Sequence, residues 1–178
     1  MSADIHAAIE YATQCHDGQF RDGEHALPYI THPHHVLRLL RDVAAVTDQR
    51  LWCAAILHDV LEDTEATIDE LKELFGEDIA SIVAGLTRDE PEPSLIAGMD
   101  KDEIWQVRSD MLIEEIKGMT PEMRTIKLCD RLSNLEEAKL TRKGKKLTRY
   151  IDQTKRILKV IPRSTCPALW DRVQALTK

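Results

Sequence analysis

The chain has 178 residues, enough for one domain of ordinary size and too few for two. Hydrophobic residues make up 43% and charged residues 31%, the balance of a globular protein that can bury a core. A formal charge of −7 argues against nucleic acid as the main partner, since phosphate backbones need a basic face, but it leaves room for a small phosphorylated ligand in a local basic pocket.

Aromatics are only 4%, and Leu, Ile, Ala, Glu and Lys are common, which favours helices. Ile5, Ala8, Ile9, Ala12 and Cys15 recur at helical spacing, so Asp4 to His16 predicts a first helix that Gly18 ends. The start, Met1 to His6, lacks the basic and apolar regions of a signal peptide. Asp17 to Thr31 reads as a polar loop broken by Gly18, Gly23 and Pro28. Thr31 with Pro33 opens a second helix to about Val43. Asp48 caps a helix to Leu61 whose stretch Leu51 to Leu57 is apolar all round, which implies a central position.

Thr67-Ile68-Asp69-Glu70 is a capping box for a short helix through Phe75. Asp78 to Leu86 is another helix. Thr87 to Gly98, with Pro91 and Pro93, is a loop and the best candidate for a flap. Met99 to Lys117 is amphipathic and strongly charged. Thr120-Pro121 opens a helix to about Leu140, Thr141 to Lys146 is a basic turn, and Leu147 to Val160 and Pro167 to Leu176 complete the chain. No stretch alternates as a strand does. No stretch approaches the roughly 18 consecutive apolar residues of a membrane span. Cys15, Cys53, Cys129 and Cys166 form no C-x-x-C pair and read as reduced thiols, three of them on apolar helix faces. A cytoplasmic protein without a membrane or nucleic-acid partner is expected. The charged helix Met99–Lys117 and the Trp170 segment are candidate surfaces for packing on the core or on a second subunit.

The chemistry concentrates in Leu57-His58-Asp59-Val60-Leu61-Glu62-Asp63-Thr64. If the buried helix continues one residue further, Glu62 lies four residues from His58 and three from Asp59, on one face. Asp130 interrupts the apolar pattern of Ile126, Leu128, Cys129 and Leu132, and a buried carboxylate there must be paired or bind a metal. His32 stands at a helix start beside the polar loop. Two His and two Asp from three helices suit Mn²⁺, Fe²⁺, Co²⁺ or Zn²⁺. Glu62 and Asp63 would then serve as general acid/base and water-orienting groups. His16 reads as a capping or supporting group, Cys129 as core, and Arg142-Lys143-Lys145-Lys146 as a solvated turn.

The order His32…His58-Asp59…Asp130 resembles the H…HD…D signature of HD-domain metal-dependent phosphohydrolases. The chain is most similar to the alarmone hydrolase domain of the RelA/SpoT group, including small stand-alone hydrolases of the metazoan SpoT-homologue type. The resemblance is carried by His16-Asp17-Gly18-Gln19-Phe20-Arg21, Pro28-Tyr29-Ile30-Thr31-His32-Pro33, Ala54 to Thr64, Phe75-Gly76, Leu86-Thr87 and Ile126 to Leu135, and covers about residues 4–160. It implies one all-α HD domain over residues 1–178, of about eight to ten helices, with the C-terminal helices 147–176 packed on it. It also implies Mn²⁺ and hydrolysis of the 3′-pyrophosphate of guanosine tetra- or pentaphosphate, without a synthetase domain. By position, His32, His58, Asp59 and Asp130 match metal ligands, with His34 and His35 set aside. Glu62 and Asp63 match the catalytic acidic pair. Arg21 matches a residue packing on the base and Asn134 one near the ribose, and Lys127 and Thr87 fall in matching segments. Three positions depart from the family pattern: Asp22 replaces a basic residue, Ser133 an aromatic or His, and Glu136 a basic residue. Each removes positive charge or stacking surface near the nucleotide. An adenosine alarmone such as ppApp, or NADPH, is therefore an alternative substrate, and a non-catalytic nucleotide-binding regulator an alternative class.

Overall fold

The computed structural model describes residues 4–23 and 26–178. Met1 to Ala3 of the expected start, and Glu24 and His25 of the first loop, lie outside the described residues. Ten α-helices and a short 3-10 turn make up the regular structure, with no strand among the described residues. Phe20 and Pro28 form an isolated antiparallel bridge that closes the first loop.

Local signals set most boundaries. The Asp4 carboxylate accepts from the His6 and Ala7 N–H groups and starts α1 (Ile5–Cys15). Helix α2 runs Thr31–Asp42. Asp48 accepts from the Arg50 N–H and starts α3 (Gln49–Leu57). After α4 (Val60–Asp63), the Thr67/Glu70 capping box forms as expected and opens α5 (Ile68–Phe75). Gly76, at φ +85°, turns the chain directly into α6 (Glu77–Leu86), a conformation that favours glycine. A second capping box, Asp100 with Glu103, opens α7 (Lys101–Gly118). Thr120 and Pro121 open α8 (Pro121–Thr141). Helices α9 (Gly144–Val160) and α10 (Pro167–Leu176) end the chain. The basic turn shrinks to Arg142 and Lys143, because α9 starts at Gly144 instead of Leu147.

The one substantial correction falls on the buried helix. It stops at Leu57 rather than continuing to Leu61. His58 Nδ1 lies 2.8 Å from the Ala55 carbonyl oxygen. That carbonyl is the acceptor a continued helix would offer to the Asp59 N–H. The ring takes it up, and the ladder restarts with Glu62 and Asp63 donating to the Asp59 carbonyl at 3.2 and 2.9 Å.

Helix α3 lies at the centre, as its apolar run implies. Leu51 and Cys53 to Leu57 are buried, and the helix packs against α1, α2 and α6. Helix α8 packs on α2 and α10, and α7 lies against α9. The charged α7 thus buries Leu112, Ile113 and Ile116 within the chain. Trp170 sits on α10, its indole N–H donating to the Ile161 carbonyl at 3.0 Å. The four cysteines are free, with Cys53, Cys129 and Cys166 buried and Cys15 half-buried. Among the described residues no helix is long and apolar enough to cross a membrane.

Candidate metal centre

The start of α2, the α3–α4 junction and the middle of α8 meet at one point. They bring together the four residues read as ligands. His58 Nε2 lies 3.1 Å from Asp59 Oδ2 and 3.9 Å from Asp130 Oδ1. His32 Nε2 lies 3.5 Å from Asp59 Oδ2 and 3.3 Å from Asp130 Oδ1. Ligand atoms of His32, His58 and Asp59 fall within 4.8 Å of one another. Both imidazole Nε2 atoms are buried and make no hydrogen bond. Buried polar atoms are ordinarily bonded, so two such nitrogens facing two carboxylates mark a place for a cation. The donor set of imidazole and carboxylate fits a first-row divalent metal.

Each proposed ligand has a partner that orients it. The Ala55 carbonyl can only accept, so His58 Nδ1 carries a hydrogen and, in the neutral ring, Nε2 presents its lone pair to the site. His32 Nδ1 bonds to Ser133 Oγ at 2.9 Å. The Tyr29 hydroxyl lies 2.7 Å from Asp59 Oδ2 and 2.9 Å from Asp63 Oδ2. Asn134 donates its amide to Asp130 and accepts from Arg21 at 2.7 Å. Supporting bonds of this kind fix ligand orientation in metal sites. Burial opposes ionisation of Asp59 and Asp130. The His58 and His32 rings around Asp59, and His32 with Lys127 around Asp130, outweigh it and hold both well below the usual carboxylate range. Burial and the two nearby carboxylates push the Tyr29 hydroxyl far above its ordinary range, so it stays a donor.

A family model described as HD domain matches residues 8–159. The chain belongs to the HD-domain family. The zebrafish (Danio rerio) protein named guanosine-3′,5′-bis(diphosphate) 3′-pyrophosphohydrolase MESH1 is 30% identical over 172 residues, 94% of this chain and 89% of that protein. The human (Homo sapiens) protein of the same name is 32% identical over 136 residues, covering 76% and 70% respectively. Among solved structures, one titled "A metazoan ortholog of SpoT hydrolyzes ppGpp and plays a role in starvation responses" superposes with a TM-score of 0.84 at 27% identity, covering 99% of this chain and 94% of that one. As an HD domain the protein is a metal-dependent phosphohydrolase.

A cleft of about 330 Å³ opens over the HD-domain site. Asp59, Asp130, Glu62 and Asp63 line it with Arg88, Arg108, Lys127, Arg131 and Arg142. Trp105 and Tyr150 line it beside them, with Arg131 over the Tyr150 ring at 4.5 Å and Arg149 over the Trp105 ring at 5.1 Å. Glu62 pairs with Arg88, Oε1 to Nη2 at 2.6 Å, and its other oxygen accepts from the Arg88 backbone N–H at 3.3 Å. Burial raises the Glu62 pKa above its ordinary value against the pull of Arg88 and Lys127.

The remaining expected residues are spread around this cleft. Asn134 and Lys127 line it, and Lys127 Nζ stands 3.7 Å from Asp130 and 3.2 Å from the Leu86 carbonyl. Arg21 is not among the lining residues. It is held by Glu137 and Asn134, with its guanidinium 5.4 Å from the Tyr29 ring centroid. Thr87 turns its hydroxyl to the Val83 carbonyl at 3.0 Å and is also outside the lining. His16 is buried, bonds Gln19 at 2.8 Å and stacks on Tyr29 at 4.6 Å, the supporting part expected for it. The sequence reading missed Tyr29, Arg88, Trp105, Arg108, Arg131 and Tyr150 as cleft residues. It also missed Arg142, which leaves the expected solvated turn to lie 4.8 Å from the Tyr150 ring. Tyr29 and Arg131 carried a signal, since Tyr29 lies three residues before His32 and Arg131 next to Asp130 in the matched segments.

Proposed function

We propose that the protein is a Mn²⁺-dependent pyrophosphohydrolase acting in the cytoplasm. It removes the 3′-pyrophosphate of guanosine tetra- and pentaphosphate, giving GDP or GTP and pyrophosphate. One observation carries this reading: two buried, unpartnered imidazole nitrogens face two carboxylates under a cation-lined cleft. The names of the relatives supply the substrate. His32, His58, Asp59 and Asp130 are the ligands in this reading. A divalent ion held there supplies Lewis acidity to a phosphoryl oxygen and to water.

The chain's own residues do the rest. Water adds to the phosphorus next to the 3′-oxygen, and the bond from that phosphorus to the 3′-oxygen breaks. Glu62, with its raised pKa, is suited to take the proton from water and return it to the departing 3′-oxygen. Asp63, bonded to Tyr29, orients the water. Arg88, Arg108 and Arg142 bind the phosphates, while Trp105 and Tyr150 offer faces to the base. Arg21 and Asn134 extend the nucleotide site, with Lys127 and Thr87 at its edge. The cations are gathered in a cleft rather than along an open face, which suits a small nucleotide.

Purified protein loaded with Mn²⁺ and given ppGpp should release GDP and pyrophosphate in equal amounts. Asp63→Asn should keep nucleotide binding and stop release. No release by the metal-bound wild type overturns the assignment. A second reading keeps the chemistry and changes the base or sugar phosphate. It is favoured by the acids near the nucleotide, because Glu137 occupies Arg21 and Asp22 lies 3.3 Å from Arg142. A panel of ppGpp, ppApp and NADPH at equal concentration separates the two, and faster ppGpp turnover removes the second.

A further inference from the structure

Ser133 stands between two histidines. Its Oγ lies 2.9 Å from His32 Nδ1 and 3.1 Å from His35 Nδ1. His35 Nε2 lies 3.7 Å from a carboxylate oxygen of Glu136. The row runs outward from buried His32 and Ser133, through half-buried His35, to exposed Glu136. Asp130 has a support of equal length through Asn134, Arg21 and Glu137.

One direction of donation satisfies both hydrogen bonds of the row. A ring that binds metal through Nε2 carries its hydrogen on Nδ1. His32 then donates to Ser133 Oγ. The single Ser133 hydroxyl hydrogen can donate to His35 Nδ1, which must be bare to accept it. The remaining His35 hydrogen sits on Nε2, on the side of Glu136. Burial holds His35 below its ordinary pKa, with Glu136 opposing and Arg38, His32 and Arg21 assisting, which favours the neutral ring this order requires.

We infer that His35 is a positioning residue that acts through Ser133, with Glu136 behind it, to fix the tautomer and orientation of His32 for metal binding. The inference rests on His32 being a metal ligand, as proposed above. Two of the three departures from the family pattern, Ser133 and Glu136, then belong to one device. Their effect is on the metal side of the site as well as the nucleotide side.

The test is Mn²⁺ titration calorimetry on the full chain, with circular dichroism melting to check each variant. Ser133→Ala should weaken Mn²⁺ binding by about 10- to 100-fold, as losses of supporting partners do. His35→Ala should weaken it by about three- to tenfold, less than Ser133→Ala because Ser133 remains. His35→Asn places an amide acceptor near the lost Nδ1 and should recover most of the affinity. The double variant Ser133→Ala/His35→Ala should bind no worse than Ser133→Ala alone, since His35 acts through the hydroxyl. A packing role would lower melting temperature without this pattern. Wild-type affinity in His35→Ala, or losses that multiply in the double variant, would overturn the inference. If Ser133→Ala does not fold, the contrast between His35→Ala and His35→Asn decides alone. His58→Ala separates the two readings. Mn²⁺ binding that survives it overturns the metal centre itself, and the inference with it. Binding lost in His58→Ala but unmoved in His35→Ala overturns only the role of His35.

Discussion

His58 answers to two opposed demands. Burial alone would lower its pKa, while Asp59 at 3.1 Å and Asp130 raise it to about 9 against Lys127. Without metal, a proton on Nε2 is therefore the cation between the carboxylates. A folded-state pKa above the unfolded value of about 6.5 stabilises the folded protein fully below about pH 6.5, and that contribution is lost as pH rises through about 9. In EDTA, urea unfolding should show stability falling across this window by up to roughly 3 kcal/mol. On the proposed function, Mn²⁺ bound through His58 displaces the same proton, so its affinity should rise with pH over the same range. A flat stability profile in EDTA would mean that His58 does not hold this proton. The proposed ligands stood out in the sequence because a His-Asp pair ending an apolar run, and an acid interrupting another, have no packing explanation. Their partners were not legible. Ser133 and Tyr29 are ordinary residues until the fold sets them beside His32 and Asp59.

At the scale of elements, the break between α3 and α4 matters most. The sequence pattern shows an apolar helix but not where it stops, because the stop is made by the His58 ring on the Ala55 carbonyl. Caps such as Thr67, Asp48 and Thr120 were readable because their partners lie two or three residues away. The break depends on a side chain whose other nitrogen is committed to a distant site. One consequence is that Glu62 sits on a separate single turn and is held from outside, by Arg88 just beyond α6. Arg88 also reaches Glu90 at 3.4 Å, and Arg108 of α7 binds Glu90 at 2.6 Å. The start of the expected flap is thus tied to both sides of the cleft. Arg88→Ala should free Glu62 and remove a phosphate contact. The ion pair is partly exposed, so melting should change by no more than about 1 kcal/mol. Hydrolysis should fall by at least about tenfold, one lost transition-state contact being worth roughly 1.4 kcal/mol or more. Kinetics and a melt on the same preparation check this. Activity within twofold of wild type would leave Arg88 with no part in the reaction.

Across the whole molecule the charge is −7, yet five cations converge on one cleft. A sum over the chain hides this, because it takes the fold to bring Arg88, Arg108, Lys127, Arg131 and Arg142 from four segments to one place. The acids are distributed too, and Asp22 is the informative one. Where the family pattern has a basic residue, its carboxylate lies 3.3 Å from Arg142 and offsets one of the cleft cations. Asp22 is exposed and Arg142 half-buried, so the pair adds little to stability. Its effect falls on the field that a polyphosphate meets on entering the cleft. Asp22→Lys changes the local charge by two units and releases Arg142. At low ionic strength it should lower KM for ppGpp by about three- to tenfold, with kcat nearly unchanged because Asp22 pairs with Arg142 rather than with a proposed metal ligand. The gain should shrink as salt rises, since the screening length falls from about 10 Å at 0.1 M to about 3 Å at 1 M. A salt series of KM for the two proteins reads this directly. If KM is the same for both at low salt, Asp22 does not set the field of the cleft. If it falls equally at every salt concentration, the gain comes from a direct contact rather than from the field.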